Sequence, residues 1–290
     1  MKKKKNNSTT GLLVLVFLAG LSLMLYPTVS NFVNSRSQAR VIATYREELD
    51  SLDAESHARM ISQANTYNKA LIERENEFSL TPELQQQYEA LLDVSGSGVM
   101  GYVDIPCIDC TLPVYHSTKE DVLQQAAGHV EWSSLPIGGE STHCVISGHR
   151  GLPTAELMTH IDRLRLGDRF YLHVLDQALE YRVDQIKVVL PEDASYLTIE
   201  EGKDLVTLVT CTPYGINSHR LLVRGTRVLN GKVSGGALIL NNEVEAVSLV
   251  YILPVALLLL VFVTFCALGL GRLFGKKRNK EGRVHEEEPV

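Results

Sequence analysis

The sequence has no internal repeat, no excess of positive charge and few cysteines. It is 290 residues long with a formal net charge of −6, 45% hydrophobic residues and five cysteines. The lack of a repeat argues against a solenoid or propeller. The negative balance gives no basis for nucleic-acid binding, which requires a basic face. So few cysteines in a chain of this length do not form a disulfide framework.

Dense positive charge occurs only beside two apolar stretches. Lys2–Lys5 precede residues 11–26, and the uncharged residues 246–270 are followed by Lys276-Lys277-Arg278. The second stretch is long enough to cross a hydrocarbon core of about 30 Å. No small-x-small cleavage site follows the first, so we expect an uncleaved anchor. Both stretches therefore predict attachment to a membrane.

The positive charge lies on the outer side of both apolar stretches, which predicts a two-pass topology with both termini cytoplasmic and the region between them extracellular. The predicted segments are a basic tail (1–10), a membrane anchor (11–30), an extracellular helical segment (31–97), a β-rich domain (98–232), a linker (233–245), a transmembrane helix (246–270) and a cytoplasmic tail (271–290).

Helical spacing dominates the region before the β-rich domain. Ile42, Tyr45 and Leu49 recur on one face, and the pattern predicts a helix over residues 35–73. Thr81, followed by Pro82, is typical of the start of a second helix, predicted to extend through Leu92. The Ser-Gly repeat at 95–98 predicts a flexible linker, where we place the domain boundary.

Short β-branched and apolar runs dominate residues 101–225. They predict strands at 103–108, 112–115, 142–147, 170–175, 179–189 and 205–210. Two short helices are expected, one from a capping box at 117–120 to Gly128 and one over 155–164 capped by Thr154. Because the crossovers are too short for a doubly wound sheet, we predict a mainly β fold that closes into a barrel.

Cys107 and Cys110 form a C-x-x-C pair in a stretch that we interpret as extended. Three residues at about 3.3 Å each separate the two Cα atoms by about 10 Å, beyond the reach of a disulfide. We therefore predict buried or half-buried free thiols rather than a redox pair.

The sequence T-L-V-T-C-T-P-Y-G-I-N-S-H-R-L-L-V-R-G at 207–225 predicts two strands joined by a turn. Pairing of these strands would place Cys211, at the end of the first, beside Arg220, at the start of the second. A thiol attacks as its thiolate and needs a base or a positive environment. Arg220 is either an ordinary ion-pair donor or a donor to a developing oxyanion.

Nine histidines could supply a base for Cys211. His149 is the leading candidate, because Gly148 and Gly151 flank it where a predicted strand ends in a loop. His143, at the other end of that strand, is the alternative. A metal site formed by His143, Cys144, His149 and Cys211 is disfavoured, since adjacent strand residues face opposite ways.

The 207–225 stretch resembles the signature of sortases, the thiol transpeptidases of Gram-positive cell surfaces, and is most similar to class C, the pilus-assembling sortases. I-S-G-H-R-G-L-P-T-A at 146–155 resembles the family's histidine motif, and 105–116 and 184–193 also match. The similarity covers roughly residues 98–230. It implies an eight-stranded β-barrel flanked by two transmembrane helices, with Cys211, His149 and Arg220 as catalytic residues and no metal or other cofactor.

The resemblance also implies the reaction. A secreted protein with an LPXTG-like sorting signal would be cleaved between threonine and glycine, and a lysine of another pilin would resolve the thioacyl enzyme. Two alternatives stay open: attachment of surface proteins or pili to the peptidoglycan cross-bridge, and a membrane-tethered binding or structural barrel. The pilin, the acceptor and the oligomeric state are not specified by the sequence.

Many class C sortases have a lid with an Asp-Pro-aromatic motif ahead of the barrel. The matching region, E-R-E-N-E-F-S-L-T-P at 73–82, lacks that motif. We interpret Phe78, beside Glu77, as the possible lid aromatic residue, with an ordinary linker as the alternative.

Overall fold

The structure is a computed structural model that describes residues 7–74 and 77–229. Three helices come first: α1 (Asn7–Asp50), α2 (Ala54–Ile72) and α3 (Pro82–Ala90). Eight strands follow, with a short helix α4 (Glu120–Leu123) between the second and third. They are β1 (Val99–Ile105), β2 (Cys110–His116), β3 (Ala127–His129), β4 (Thr142–Ser147), β5 (Arg169–Val174), β6 (Gln177–Val189), β7 (Asp204–Thr212) and β8 (His219–Arg227).

The strands close into a barrel in the order β1-β2-β3-β4-β7-β8-β6-β5. The β2–β3 and β4–β7 pairs are parallel, and the other pairs are antiparallel. Alternate residues fill the interior, as Val206 and Leu208 of β7 do beside Val223 of β8. The predicted mainly β fold and eight-stranded barrel are confirmed.

Space inside the barrel is tight where β8 crosses it. A Cβ added at Gly225 would lie 2.6 Å from Cε1 of Phe170, a distance that real contacts do not show. Glycine therefore lets β8 approach the aromatic core formed by Phe170 and Tyr181, whose ring centroids are 5.7 Å apart.

The predicted single helix over 35–73 is wrong at its middle. α1 is continuous from the first apolar stretch to Asp50, and α2 starts anew after residues 51–53. Asp53 causes the restart, because its side chain accepts a hydrogen bond from the Ser56 amide at 2.8 Å and caps α2. Within the described residues, Val14–Asp50 of α1 is long and apolar enough to span a membrane.

The helices pack on one side of the barrel. Tyr45 of α1 is buried; its hydroxyl donates to the Met100 carbonyl at 3.1 Å and accepts from the Leu175 amide at 2.8 Å. The hydroxyl of Tyr88, in α3, lies 3.0 Å from Nδ1 of His129, whose Nε2 lies 2.9 Å from the Ser134 carbonyl. Burial lowers the pKa of His129 to about 4, so a neutral imidazole links α3 to the barrel.

Two short-helix predictions are corrected. Residues 155–164 form turns and a single 3₁₀ turn, Ile161–Arg163, because Leu157 has a positive φ of 43° that an α-helix does not permit. The helix predicted to end at Gly128 stops at Leu123, since Ala127–His129 pairs with β2 and β4. No side chain caps α4; the Ser117 hydroxyl accepts instead from the Lys119 amide at 3.2 Å.

The free state of Cys107 and Cys110 and the burial of Cys110 are confirmed, but the exposure of Cys107 and the conformation of the chain between them differ from the prediction. Pro106–Ile108 is a 3₁₀ turn between β1 and β2 rather than extended chain. This turn exposes Cys107, while Cys110 is buried and its pKa is raised to about 12 by burial. The predicted linker after the barrel and the predicted second transmembrane helix lie outside the described residues.

Candidate active site

Cys211 and Arg220 face one another at one end of the barrel. They are register partners in the antiparallel β7–β8 pair, as the sequence predicts. Val209 belongs to the outer cluster rather than to the barrel interior, and the two-residue period of the strand places Cys211 on that outer face. Cys211 is half-buried and free. Nη1 of Arg220 donates to the carbonyls of Asn217 and His219 at 3.3 and 3.2 Å, which holds the guanidinium at the turn.

His149 lies in the loop that follows β4, the parallel neighbour of β7. Two hydrogen bonds hold this loop to β7: the Gly148 amide donates to the Val209 carbonyl at 3.0 Å, and Oγ1 of Thr210 donates to the Gly148 carbonyl at 2.7 Å. Both bonds lie immediately before Cys211 in β7. The loop, and with it His149, is therefore brought to the same end of the barrel as Cys211.

Glu120 is the acidic partner of His149. Nε2 of His149 lies 3.3 Å from each carboxylate oxygen of Glu120, in the first turn of α4. The His149 side chain is 25% exposed and that of Glu120 is 68% exposed, so solvent reaches both. The sequence analysis missed Glu120, because no local pattern joins α4 to a loop 29 residues away.

Arg150 joins the histidine loop to the turn after Cys211. It bonds Asp162 at 2.6 Å and the Thr212 hydroxyl at 3.3 Å, and its Cζ lies 5.9 Å from the ring centroid of Tyr214. Gly151 has φ +78°, and a Cβ there would lie 2.9 Å from Cε2 of Tyr214. The glycine after Arg150 thus permits close contact between the two loops.

His143 is not brought to Cys211, so the alternative base is wrong on geometry. It pairs in register with Leu205, at the opposite end of β7. Its two ring nitrogens each lie 2.7 Å from a partner, the Thr198 carbonyl and the Thr207 hydroxyl. Burial lowers the pKa of His143 and favours this neutral, structural state. Cys144 points into the barrel core and away from His143.

Phe78 lies against Trp132 in the connection between β3 and β4. Their ring centroids are 4.9 Å apart at an interplanar angle of 78°, an edge-to-face contact. Trp132 packs against an outer apolar cluster formed by Val145, Val189, Val209 and Leu222. Phe78 and Trp132 thus lie on the same outer face of the barrel as Cys211, but they line a small cavity with His143, which pairs with the other end of β7. The sequence analysis did not single out Trp132, the only tryptophan.

Arg74 fixes the segment that carries Phe78. Its Nη2 lies 2.5 Å from a carboxylate oxygen of Glu77 and donates to the Ser79 carbonyl at 2.7 Å. Glu77 therefore contacts Arg74 and the chain around it. Glu75 and Asn76, also within the predicted lid 73–82, lie outside the described residues.

The thiol, the imidazole and the guanidinium thus converge on one barrel end, the groups needed for acyl transfer through a thioester. The Sortase domain family model matches residues 103–228. Sortase C1 of Streptococcus agalactiae is 45% identical with a TM-score of 0.65, over 66% of this chain and all of that one. Sortase C of Streptococcus pneumoniae is 46% identical with a TM-score of 0.59, over 65% and 96%. Clostridium perfringens sortase C, solved with the C-terminal cell wall sorting motif, is 43% identical with a TM-score of 0.58, over 66% and 98%.

The chain belongs to the sortase family, and these solved neighbours are class C sortases. It is therefore a cysteine transpeptidase rather than an inert binding barrel. The family model covers the barrel from within β1 to the end of β8.

Proposed function

We propose that Cys211 is the nucleophile of this transpeptidase, that His149 transfers protons and that Arg220 stabilises the oxyanion. The Cys211–Arg220 register pair carries the proposal, because it sets a thiol beside a fixed positive charge on two rigid strands. The two hydrogen bonds that join Gly148 to β7 support the role of His149 in proton transfer, because they bring its loop to the same end of the barrel as Cys211.

In the first step, the Cys211 sulfur bonds to the carbonyl carbon of the substrate threonine. The bond from that carbon to the glycine nitrogen breaks, and His149 gives its proton to the leaving amine. In the second step, an acceptor amine loses a proton to His149 and attacks the thioester. The C–S bond breaks, the thiolate is restored, and the forked guanidinium of Arg220 stabilises the oxyanion formed in both steps.

We propose an LPXTG-like sorting signal as substrate and a pilin lysine as acceptor, which gives an isopeptide-linked polymer. The structure of the Clostridium perfringens enzyme with the C-terminal cell wall sorting motif supports the first point. The pilin substrate specificity described for the Streptococcus pneumoniae enzyme supports the second. Attachment to the peptidoglycan cross-bridge uses the same chemistry with another amine and is the second candidate.

Cleavage of a sorting peptide by Cys211→Ala, His149→Gln and Arg220→Lys variants tests the assigned residues. We expect no thioacyl adduct in the first variant and a large loss of turnover in the other two. Cys107→Ala is the matched control, because Cys107 is a free, exposed thiol outside the site and its removal leaves turnover unchanged. An adduct on the Cys211→Ala protein would overturn the assignment. Mass spectrometry of the joined product distinguishes a pilin lysine from a cross-bridge amine.

Phe78 and Glu77 are proposed to form a lid that restricts access to Cys211. The edge-to-face contact with Trp132 holds Phe78 on the outer face of the barrel, the face that carries Cys211, and such pairs contribute about 0.5–1.5 kcal/mol. Phe78→Ala should then accelerate both alkylation of Cys211 and peptide cleavage by about two- to tenfold. Ile72→Ala, of similar exposure at the end of α2, is the control. Equal rates in wild type and Phe78→Ala would leave Phe78 without a lid role.

We further propose that α1 anchors the protein in the cell membrane with the barrel outside, because Val14–Asp50 is apolar and long enough to span. The two-pass topology, with residues 246–270 as second span and both termini cytoplasmic, stays a prediction. Protease added outside intact cells should remove the barrel and spare tags at both termini. Digestion of the C-terminal tag would refute the second span.

A further inference from the structure

The docking of α1 on the barrel fixes which end of the barrel is close to the anchor. Oδ1 of Asn31 accepts from the Glu156 amide at 2.9 Å, and Nδ2 of Asn34 donates to the Thr154 carbonyl at 2.7 Å. The segment around Glu156 follows the histidine loop directly, and its Met158 amide donates to the His149 carbonyl at 3.2 Å. The start of the docked part of α1 therefore lies beside the histidine loop.

The far end of the barrel meets α1 later in the helix. Tyr45 lies about 21 Å beyond Asn31 along α1, at 1.5 Å per residue, and contacts Met100 and Leu175. Met100 is the second residue of β1, and Leu175 follows β5. The strand pairings then place the ends of β4 and β7 and the start of β8 at the opposite end, next to Asn31. The end that carries Cys211 is thus the end closest to the anchor.

Little chain separates the apolar stretch from this docking point. Five residues lead from Tyr26 to Asn31, about 7.5 Å as helix and at most about 18 Å fully extended. The free face of α1 also stays apolar up to the barrel: Val29, Phe32 and Val33 are 57%, 50% and 58% exposed. Cζ of Arg36 lies 5.1 Å from the Phe32 ring centroid, an arrangement typical of the border between hydrocarbon and headgroups.

We infer that the catalytic end of the barrel faces the phospholipid headgroup layer, with the residue 154–168 segment as the contact surface. This inference rests on the proposed anchoring by α1. Leu166, 68% exposed in the turn before β5, lies at this end of the barrel and adds an apolar side chain to the surface. A substrate whose sorting signal is still held in the same membrane would then meet Cys211 without a long extended arm.

Labels at the two barrel ends test the orientation in the full chain, reconstituted in phosphatidylcholine vesicles that carry a headgroup spin quencher. A fluorophore is attached to L166C or, as the matched control, to D176C in the exposed β5–β6 turn. The two positions are separated by β5, about 20 Å long. Both proteins also carry the substitutions Cys107→Ser, Cys211→Ala and Cys266→Ser. We expect quenching at 166 to exceed quenching at 176 severalfold.

The possible failures are distinguishable. A chain that does not float with the vesicles refutes the anchoring, and the orientation with it. A chain that floats but shows equal quenching, or more at 176, refutes only the orientation.

An insertion gives a functional readout. Seven helix-forming residues placed after Pro27 lift the barrel by about 10 Å while turning it by only about 20°. Cleavage of a soluble peptide should be unchanged, and cleavage of a bilayer-held substrate should fall about tenfold as the shared-membrane proximity is lost. The same insertion after Lys5 is the control, since it leaves the barrel at its original height. Unchanged cleavage of both substrates after the Pro27 insertion would overturn the inference.

Discussion

The substitution Thr210→Val tests whether β7 positions the histidine loop as well as Cys211. The Thr210 side chain is only 1% exposed, and its Oγ1 donates to the Gly148 carbonyl at 2.7 Å. Valine has a similar shape but no donor, so the buried carbonyl loses this partner. Such a loss costs about 1–3 kcal/mol. The bond from the Gly148 amide to the Val209 carbonyl remains, so the loop should stay folded but be held less firmly.

Two measurements separate stability from positioning: the free energy of unfolding in denaturant, and kcat/KM for a soluble sorting peptide. We expect Thr210→Val to lower the first by about 1–3 kcal/mol and the second by about tenfold. The matched control is Thr207→Val, on the same strand and equally buried, whose hydroxyl instead bonds His143. It should cost similar stability and leave kcat/KM unchanged. Equal kcat/KM in the two variants would refute positioning by Thr210.

Three more substitutions test other parts of the molecule. Burial lowers the pKa of His129 to about 4, so the folded protein should lose up to about 3 kcal/mol of stability as pH falls from about 6.5 toward 4. The free energy of unfolding of His129→Gln, measured in denaturant, should depend less on pH over that range. The same pH dependence in wild type and variant would contradict this. Gly225→Ala should lower the free energy of unfolding by about 1–3 kcal/mol. Adding Phe170→Leu should restore part of this stability, because the smaller side chain makes room for the added methyl group. If stability does not recover, the loss does not come from the clash with Phe170. Arg150→Lys keeps the charge but loses the forked guanidinium that bonds both Asp162 and Thr212, so kcat/KM should fall severalfold. The control Arg163→Lys, at an exposed position, should stay fully active. Equal activity of the two variants would exclude a positioning role for Arg150.

The β7–β8 pair could be predicted because its signals are local. Alternating apolar residues and one turn determine both the strands and their register, so the Cys211–Arg220 pairing follows from the sequence. The position of His149 in the loop after β4 could also be predicted from nearby residues, because glycines flank it. In both cases the chemistry-bearing residue lies within a few residues of the pattern that locates it.

The contacts that support these groups could not be predicted, because they join distant segments. Glu120 reaches His149 from α4, and Trp132 reaches Phe78 across more than fifty residues. The helix predicted to end at Gly128 was too long for a related reason. Its last residues, 127 and 128, instead pair with β2 and β4, which satisfies their backbone hydrogen bonds.

The closure of the barrel limits how an extended peptide can be recognised. Every described strand has a hydrogen-bonded neighbour on both sides, and the free edge that remains is limited to short stretches, such as residues 110–113 of β2, which β3 does not reach. An extended peptide therefore finds little sheet edge to extend by adding a strand, the mode in which main-chain pairing supplies affinity and tolerates many sequences. We therefore expect selection to depend mainly on side-chain fit over the outer face of β7 and its loops. Recognition through side chains allows a barrel of this kind to select a short sequence motif with high specificity.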